Sequence, residues 1–153
     1  MAKMIDNKPS WKGEGKVWES LSANLPGDNV VYNQREVNGR EYDFCVMAEN
    51  LGLVIIEVKG WDPDKIDVRG VDNIIVDGYD EPQTSPKKQA RAYRFAILNK
   101  IVEKYNASPL VLDMVCYPFI TQEQYVRTKL DIVSEPEYTI FKEDIEDGKK
   151  LNE

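Results

Sequence analysis

The 153-residue sequence contains no histidine. That absence removes histidine-based catalytic triads, histidine–zinc sites and imidazole acid–base chemistry. Any chemistry must use carboxylates, lysine, tyrosine, hydroxyls or a metal held by oxygen. Cysteine is nearly absent as well, with only Cys45 and Cys116. Both lie in apolar, strand-like runs without C-x-x-C spacing, so they read as reduced core residues. No apolar run approaches the length of a membrane span. The opening residues, MAKMIDNKPSWKGEG, carry no apolar signal-peptide core and read as cytoplasmic.

What is present describes one globular domain. The chain is 42% hydrophobic and 31% charged, and it is long enough to bury a core. The net charge of −7 is unevenly spread. Residues 131–153 hold eight acids and three bases, whereas residues 1–130 are nearly balanced, with 19 acids and 17 bases. The opposite bias falls in residues 86–104, where Lys87, Lys88, Arg91, Arg94, Lys100 and Lys104 face only Glu103. Charge alone reads this as a solvated helix face and names no partner.

Hydrophobic spacing gives a coarse element order. Val17 and Leu21, four apart, predict a short amphipathic helix over 13–24, closed by Pro26-Gly27-Asp28. Strands are predicted over 29–37, 40–48 and 51–60, with a hairpin turn at Asn38-Gly39 and another around Asn50. Residues 61–84 form an Asp-, Pro- and Gly-rich excursion containing a small hairpin, KIDVRG with NIIVDG. Ser85 as N-cap and Pro86 at the first position open a helix running to about Tyr105. Its inner face is Ala90, Tyr93, Ile97, Ile101 and Tyr105. A buried strand over 109–120, a short helix over 121–130 and a last strand over 137–141 complete the pattern. The order implies one mixed β-sheet with helices packed on it, an α/β fold. FKEDIEDGKKLNE, at the end, shows no closing element.

The stretch that asks for chemistry is LGLVIIEVKG. Its apolar strand ends in Glu57-Val58-Lys59. A Glu-x-Lys triplet alone means little, since about even odds favour one by chance in a chain this long. Hairpin register gives it meaning. A turn centred on Asn50 sets Asp43 directly opposite Glu57, with Cβ atoms roughly 4.5–5.5 Å apart. Lys59, two residues on, shares that face with Cys45 and Met47. Two half-buried carboxylates at that spacing repel. Protonation of one relieves them, and so does a divalent cation, which prefers hard carboxylate oxygens. The plain alternative is an ion pair of Lys59 with Glu57 or Asp43 at a strand end. A slip of one residue would place the acids on opposite faces.

An acid on a first helix, an Asp on a second strand and Glu-x-Lys on the third resembles the PD-(D/E)xK nucleases. More closely, it resembles their nuclease-related domain, NERD. The likeness is carried by Gly13-Glu14-x-x-Val17-x-x-x-Leu21, by Glu41-Tyr42-Asp43 and by the run Gly52 to Gly60. Ser85-Pro86-x-x-Gln89 and the strand ending in Tyr117-Pro118 complete it. The likeness covers residues 11–142. Tyr42 stands where Pro is common in the superfamily. It implies a restriction-endonuclease-like fold with an αβββαβ core over residues 13–142. Residues 1–12 then form an N-terminal extension and 143–153 an acidic tail or linker.

The resemblance also implies roles. Asp43 and Glu57 would bind Mg²⁺ or Mn²⁺ with the Val58 carbonyl, and Glu14 would support a second metal position. Glu19 competes with Glu14, but five residues away it cannot share that face. Lys59 would orient or help deprotonate the attacking water and offset phosphoryl charge. Gln89 and Tyr93, four apart on the basic helix, resemble a Q-x-x-x-Y motif that reaches active site and DNA in helicase-associated exonucleases. Core packing is the other reading of Tyr93. Lys87, Lys88, Arg91 and Arg94 would contact phosphates. Trp61 could stack on a base, although packing suits it better; Trp11 has no evident role. The implied activity is DNA phosphodiester hydrolysis, in a module fused to or associated with a helicase. The alternatives are a non-cleaving nucleic-acid-binding or scaffolding module, and an unrelated α/β domain with incidental ion pairs.

Overall fold

A computed structural model describes residues 2–25, 27, 29–37, 40–48, 52–70, 73–78, 81–105 and 110–147. The turns expected at Asn38-Gly39 and around Asn50, the Pro26–Asp28 stop apart from Gly27, the Tyr105 side chain and residues 148–153 lie outside that description.

The chain opens with β1 (Lys3–Met4) and α1 (Lys12–Asn24), followed by β2 (Val30–Asn33), β3 (Glu36–Val37) and β4 (Arg40–Glu41). Next come β5 (Phe44–Ala48), β6 (Gly52–Val58), β7 (Ile66–Gly70), β8 (Asn73–Val76) and α2 (Pro86–Tyr105). It closes with β9 (Val111–Cys116), α3 (Gln122–Arg127), β10 (Thr139–Ile140) and α4 (Lys142–Asp147). Six strands form one mixed sheet in the order β1-β2-β5-β6-β9-β10. The β2-β5-β6 meander is antiparallel, whereas β1 on β2, β9 on β6 and β10 on β9 run parallel. The fold is therefore α/β, with the expected αβββαβ core. Among the described residues no helix is long and apolar enough to cross a membrane.

Alternation along β6 explains how both faces of the sheet are covered. Ile56 and Val58 pack with Val17 and Leu21 of α1, and with Phe44, Val46, Cys116 and Ile145. Ile55 points the other way, with Cys45, Val111 and Ile97, against Tyr93 and Ile101 of α2. A strand buried on both faces reads as a continuous apolar run, which is the character of residues 53–56. Gly52 begins β6 with φ +132°, and a Cβ there would run into the Leu110 carbonyl oxygen. Only glycine suits that approach. A third cluster, centred on Trp61, Tyr117, Ile120 and Tyr125, fixes the β7-β8 hairpin and α3 beyond the sheet's end.

Three features differ from the sequence reading. Residues 1–12, expected as an extension, supply edge strand β1. Asp6 also accepts the Asn33 N–H at 2.9 Å and a two-pronged contact from Arg35. The closing residues, expected to form no element, contain α4, which buries Ile145 and whose backbone accepts from Ser20 Oγ at 2.7 Å. A two-residue parallel strand and a six-residue helix are too short for periodicity to mark. Finally, the strands expected over 29–37 and 40–48 are each broken. Gln34 adopts φ 55°, and β3 with β4 forms a separate two-stranded sheet.

Candidate active site

The break in the strands builds the site. β5 pairs with β6 through Phe44↔Ile56 and Cys45↔Ile55, the register expected from the sequence. One step further along, Asp43 stands level with Glu57, where the regular ladder has ended. Its Oδ2 instead accepts the Val58 backbone N–H at 2.7 Å. That N–H would otherwise lack a partner at the strand end. The Asp43 carbonyl in turn accepts from Gln34 N–H at 3.0 Å. A backbone contact thus fixes the aspartate from each side.

Glu57 is 5% exposed, on the last turn of pleat before Gly60. Its Oε1 lies 3.4 Å from Lys59 Nζ. Its Oε2 is buried and has no hydrogen-bond partner. Burial first, and the Asp43 charge second, push the Glu57 carboxyl up to about 8; the Lys59 ammonium pulls it down and Glu14 raises it again. A buried carboxylate oxygen without a donor is costly unless something positive meets it.

α1 brings its first turn to the end of β6 because both contact residues are glycine. A Cβ on Gly13 would lie 3.2 Å from Gly60 Cα. The result is an open cleft of about 540 Å³ lined by Glu14, Asp43, Glu57, Val58 and Lys59, with Trp11, Lys12, Gln83 and Phe119 at its walls. Glu14 faces this cleft and accepts from Gln34 Nε2 at 2.8 Å. Glu19 lies elsewhere, paired with Lys8 on the surface.

This chain matches the family model for the nuclease-related domain over residues 9–118. It belongs to the NERD family. No curated protein and no solved structure matches. The match spans α1, the meander, α2 and β9, so it includes every element that supplies the cleft's acids and lysine.

The NERD domain's donor set suits a hard divalent cation in part. Asp43 and Glu57 supply adjacent carboxylates, the orphaned Glu57 Oε2 lacks a counter-charge, and Val58 lines the same cleft. Among the described residues, no group of three histidine, cysteine or acidic residues is close enough to form a ready cage. Two carboxylates are nevertheless the usual protein share for Mg²⁺, which keeps several waters.

The basic helix holds the main correction. Lys87, expected on a phosphate-binding face, is buried, with Nζ 2.8 Å from Asp113 Oδ2 and 3.2 Å from the Asp113 carbonyl. Arg94 Nη1 meets Asp113 Oδ1 at 2.7 Å. Asp113 is a buried acid on β9, opposite Ile55, and both cations turn inward to neutralise it. Lys87 and Arg94 are seven apart, two helical turns, on the stripe that holds Ala90 and Ile97. The signal was an acid inside the apolar run PLVLDMVCY. Tyr93 packs against the core cluster under α2. Lys88 and Arg91 stay exposed. Gln89 is not in the cleft's lining; its Nε2 donates to Thr84 Oγ1 at 3.2 Å, while Gln83 supplies the wall instead. Trp61 is buried, with its ring 6.1 Å from Tyr117, and is a packing residue at the cleft floor. Sequence reasoning missed Gln34, Gln83 and Phe119 as neighbours of the site, because nothing local marks them.

Proposed function

We propose that this NERD domain is a metal-dependent nuclease that hydrolyses DNA phosphodiester bonds in the cleft at the end of β6. The observation that carries the reading is Glu57. It is a buried acid with one oxygen on Lys59 and the other without a partner, beside an aspartate fixed by the Val58 N–H. Folding alone gives no reason to bury a carboxylate oxygen in that state.

Asp43 and Glu57 would hold Mg²⁺ or Mn²⁺, with the Val58 carbonyl beside them and Glu14 serving a second position. What the ion supplies when bound is Lewis acidity toward water and toward the phosphoryl oxygens. The chain's own part is placement. Val58 N–H holds the Asp43 carboxylate in one orientation, and Gln34 holds Glu14 at the cleft wall. Lys59, anchored by Glu57, offers its ammonium to charge developing on the phosphoryl group. Lys88 and Arg91, exposed on α2, supply backbone contacts without base specificity. A place as one module of a larger, helicase-type DNA-processing protein is part of the same proposal and rests on the family resemblance alone.

Incubation with DNA and Mg²⁺ or Mn²⁺ is expected to give cleavage that Glu57→Ala and Lys59→Ala each abolish. Retained cleavage in both variants would sink the mechanism. Calorimetry should show Mn²⁺ binding that Asp43→Asn weakens; equal affinity counts against the metal site. DNA retention without cleavage across several metals and substrates would instead select a binding module that keeps the fold.

A further inference from the structure

We propose that the mouth of the cleft carries a stacking platform for an unpaired nucleobase, with Trp11 as its face. The inference rests on the nuclease reading and adds to it a preference for single-stranded or frayed substrate.

Trp11 is 72% exposed, more than any other large hydrophobic residue described. It lines the cleft that holds Asp43, Glu57 and Lys59. Local structure does not account for it. Trp11 is the N-cap of α1, with φ −68° and ψ 134°, and its side chain caps nothing. Helix starts favour Ser, Thr, Asp or Asn, whose oxygens accept from the first free N–H groups. A tryptophan there supplies no acceptor and leaves a large apolar ring in water. The backbone beneath it is nonetheless fixed, since the Trp11 carbonyl accepts from Gly15 N–H at 2.8 Å. The ring is thus presented from a defined anchor.

The neighbouring groups match a nucleotide. Lys12 follows Trp11 and lines the same cleft, whereas Lys16, one turn further along α1, is paired with Glu146 at 3.4 Å. Their Nζ atoms stand 5.8 Å and 5.4 Å from the centroid of the Phe119 ring, which is itself a cleft wall. Lys12, which lines the cleft beside Trp11, supplies an ammonium for the phosphate of a nucleotide whose base lies on the Trp11 ring. Bases inside a duplex have both faces covered by their neighbours, so only an unstacked base can use such a ring. Trp61 cannot serve this purpose, because it is 4% exposed and packed on Tyr117.

Fluorescence anisotropy in EDTA, with a labelled oligothymidylate and an abasic oligonucleotide of equal length, tests the platform. Trp11→Ser is expected to weaken oligothymidylate binding on the order of tenfold. Abasic binding should stay unchanged, and Trp11→Phe should keep most of the affinity. The melting temperature of Trp11→Ser should not fall, because serine is the better cap. Equal losses for both oligonucleotides, no loss for either, or a loss that follows a lowered melting temperature would overturn the proposal. Metal-dependent cleavage is scored separately, so a failed nuclease reading shows as absent cleavage with the Trp11 effect intact. Wild-type protein that binds neither oligonucleotide overturns the platform as well.

Discussion

The sharpest consequence of the site concerns Glu57 and pH in the absence of metal. Burial and the Asp43 charge push its carboxyl from the ordinary value of 4.5 up to about 8. A group whose native pKa lies above its unfolded one binds more protons when folded. Stability then falls as pH rises through the window between the two values. The full gap corresponds to on the order of 4–5 kcal/mol, of which roughly 3–4 is lost between pH 5 and pH 8. Glu57→Gln keeps the shape and removes the titration. Urea denaturation of both proteins in EDTA, from pH 5 to pH 8, reads the effect in their difference, since titrating groups not coupled to Glu57 cancel. The variant should gain on the wild type steadily toward pH 8. Adding Mn²⁺ at pH 8 should then restore the wild type and leave the variant nearly unmoved, as expected for a ligand of the native carboxylate. Parallel curves, within about 1 kcal/mol across the window, would refute the claim that Glu57 is held as a strained acid awaiting a cation.

Three other outcomes follow from the framework around the site. Asp113→Ala leaves the Lys87 ammonium buried without its partner and should destabilise the fold by about 3–5 kcal/mol in urea; a loss below about 1 would show that the pair is not a buried ion pair in solution. Gly52→Ala should lower stability by more than about 1 kcal/mol in thermal denaturation, because φ there is left-handed and the new Cβ meets the Leu110 carbonyl; an unchanged melting temperature would contradict the strand's start. Lys88→Ala with Arg91→Ala should weaken DNA binding and reduce its salt slope by about 1 to 2; an unchanged slope would place the nucleic acid elsewhere.

Much of this molecule is legible from its residues because the relevant information is local or nearly so. The β5–β6 hairpin is one example: its register follows from turn length, and so does the opposition of Asp43 and Glu57. The Ser85-Pro86 start is another, with Ser85 Oγ accepting from Lys88 N–H at 3.3 Å. What is not legible depends on groups far apart in sequence. The charges of α2 look like a nucleic-acid face until Asp113, some twenty residues later, is seen to need two of them. Trp11 has no evident role in the sequence, and the one proposed for it rests on α1 being brought against Gly60, which sets the ring in the cleft lining. In each case a polar or aromatic residue sits where the local pattern has no use for it. That misfit was visible in the sequence; its partner was not.

The broken strands show why fold and site could not be read with equal ease. An uninterrupted ladder through residues 40–48 would give Asp43 a regular place in the pleat. Its carboxylate would then stand above the sheet, and Val58 N–H would seek another acceptor. Gln34 prevents this. Its left-handed backbone ends β2, and β3 with β4 leaves the main sheet as a separate hairpin. Asp43 is thereby released to cap the Val58 N–H, and the Gln34 side chain reaches across to Glu14. A non-glycine residue in that conformation costs of order 1 kcal/mol or more, and such strain persists where surrounding contacts over-determine it. Here those contacts are the Gln34 N–H on the Asp43 carbonyl and its amide on the Glu14 carboxylate. One strained residue therefore positions two of the three acids at the cleft. Local strand propensity and the geometry of the site disagree at this point, and the site prevails.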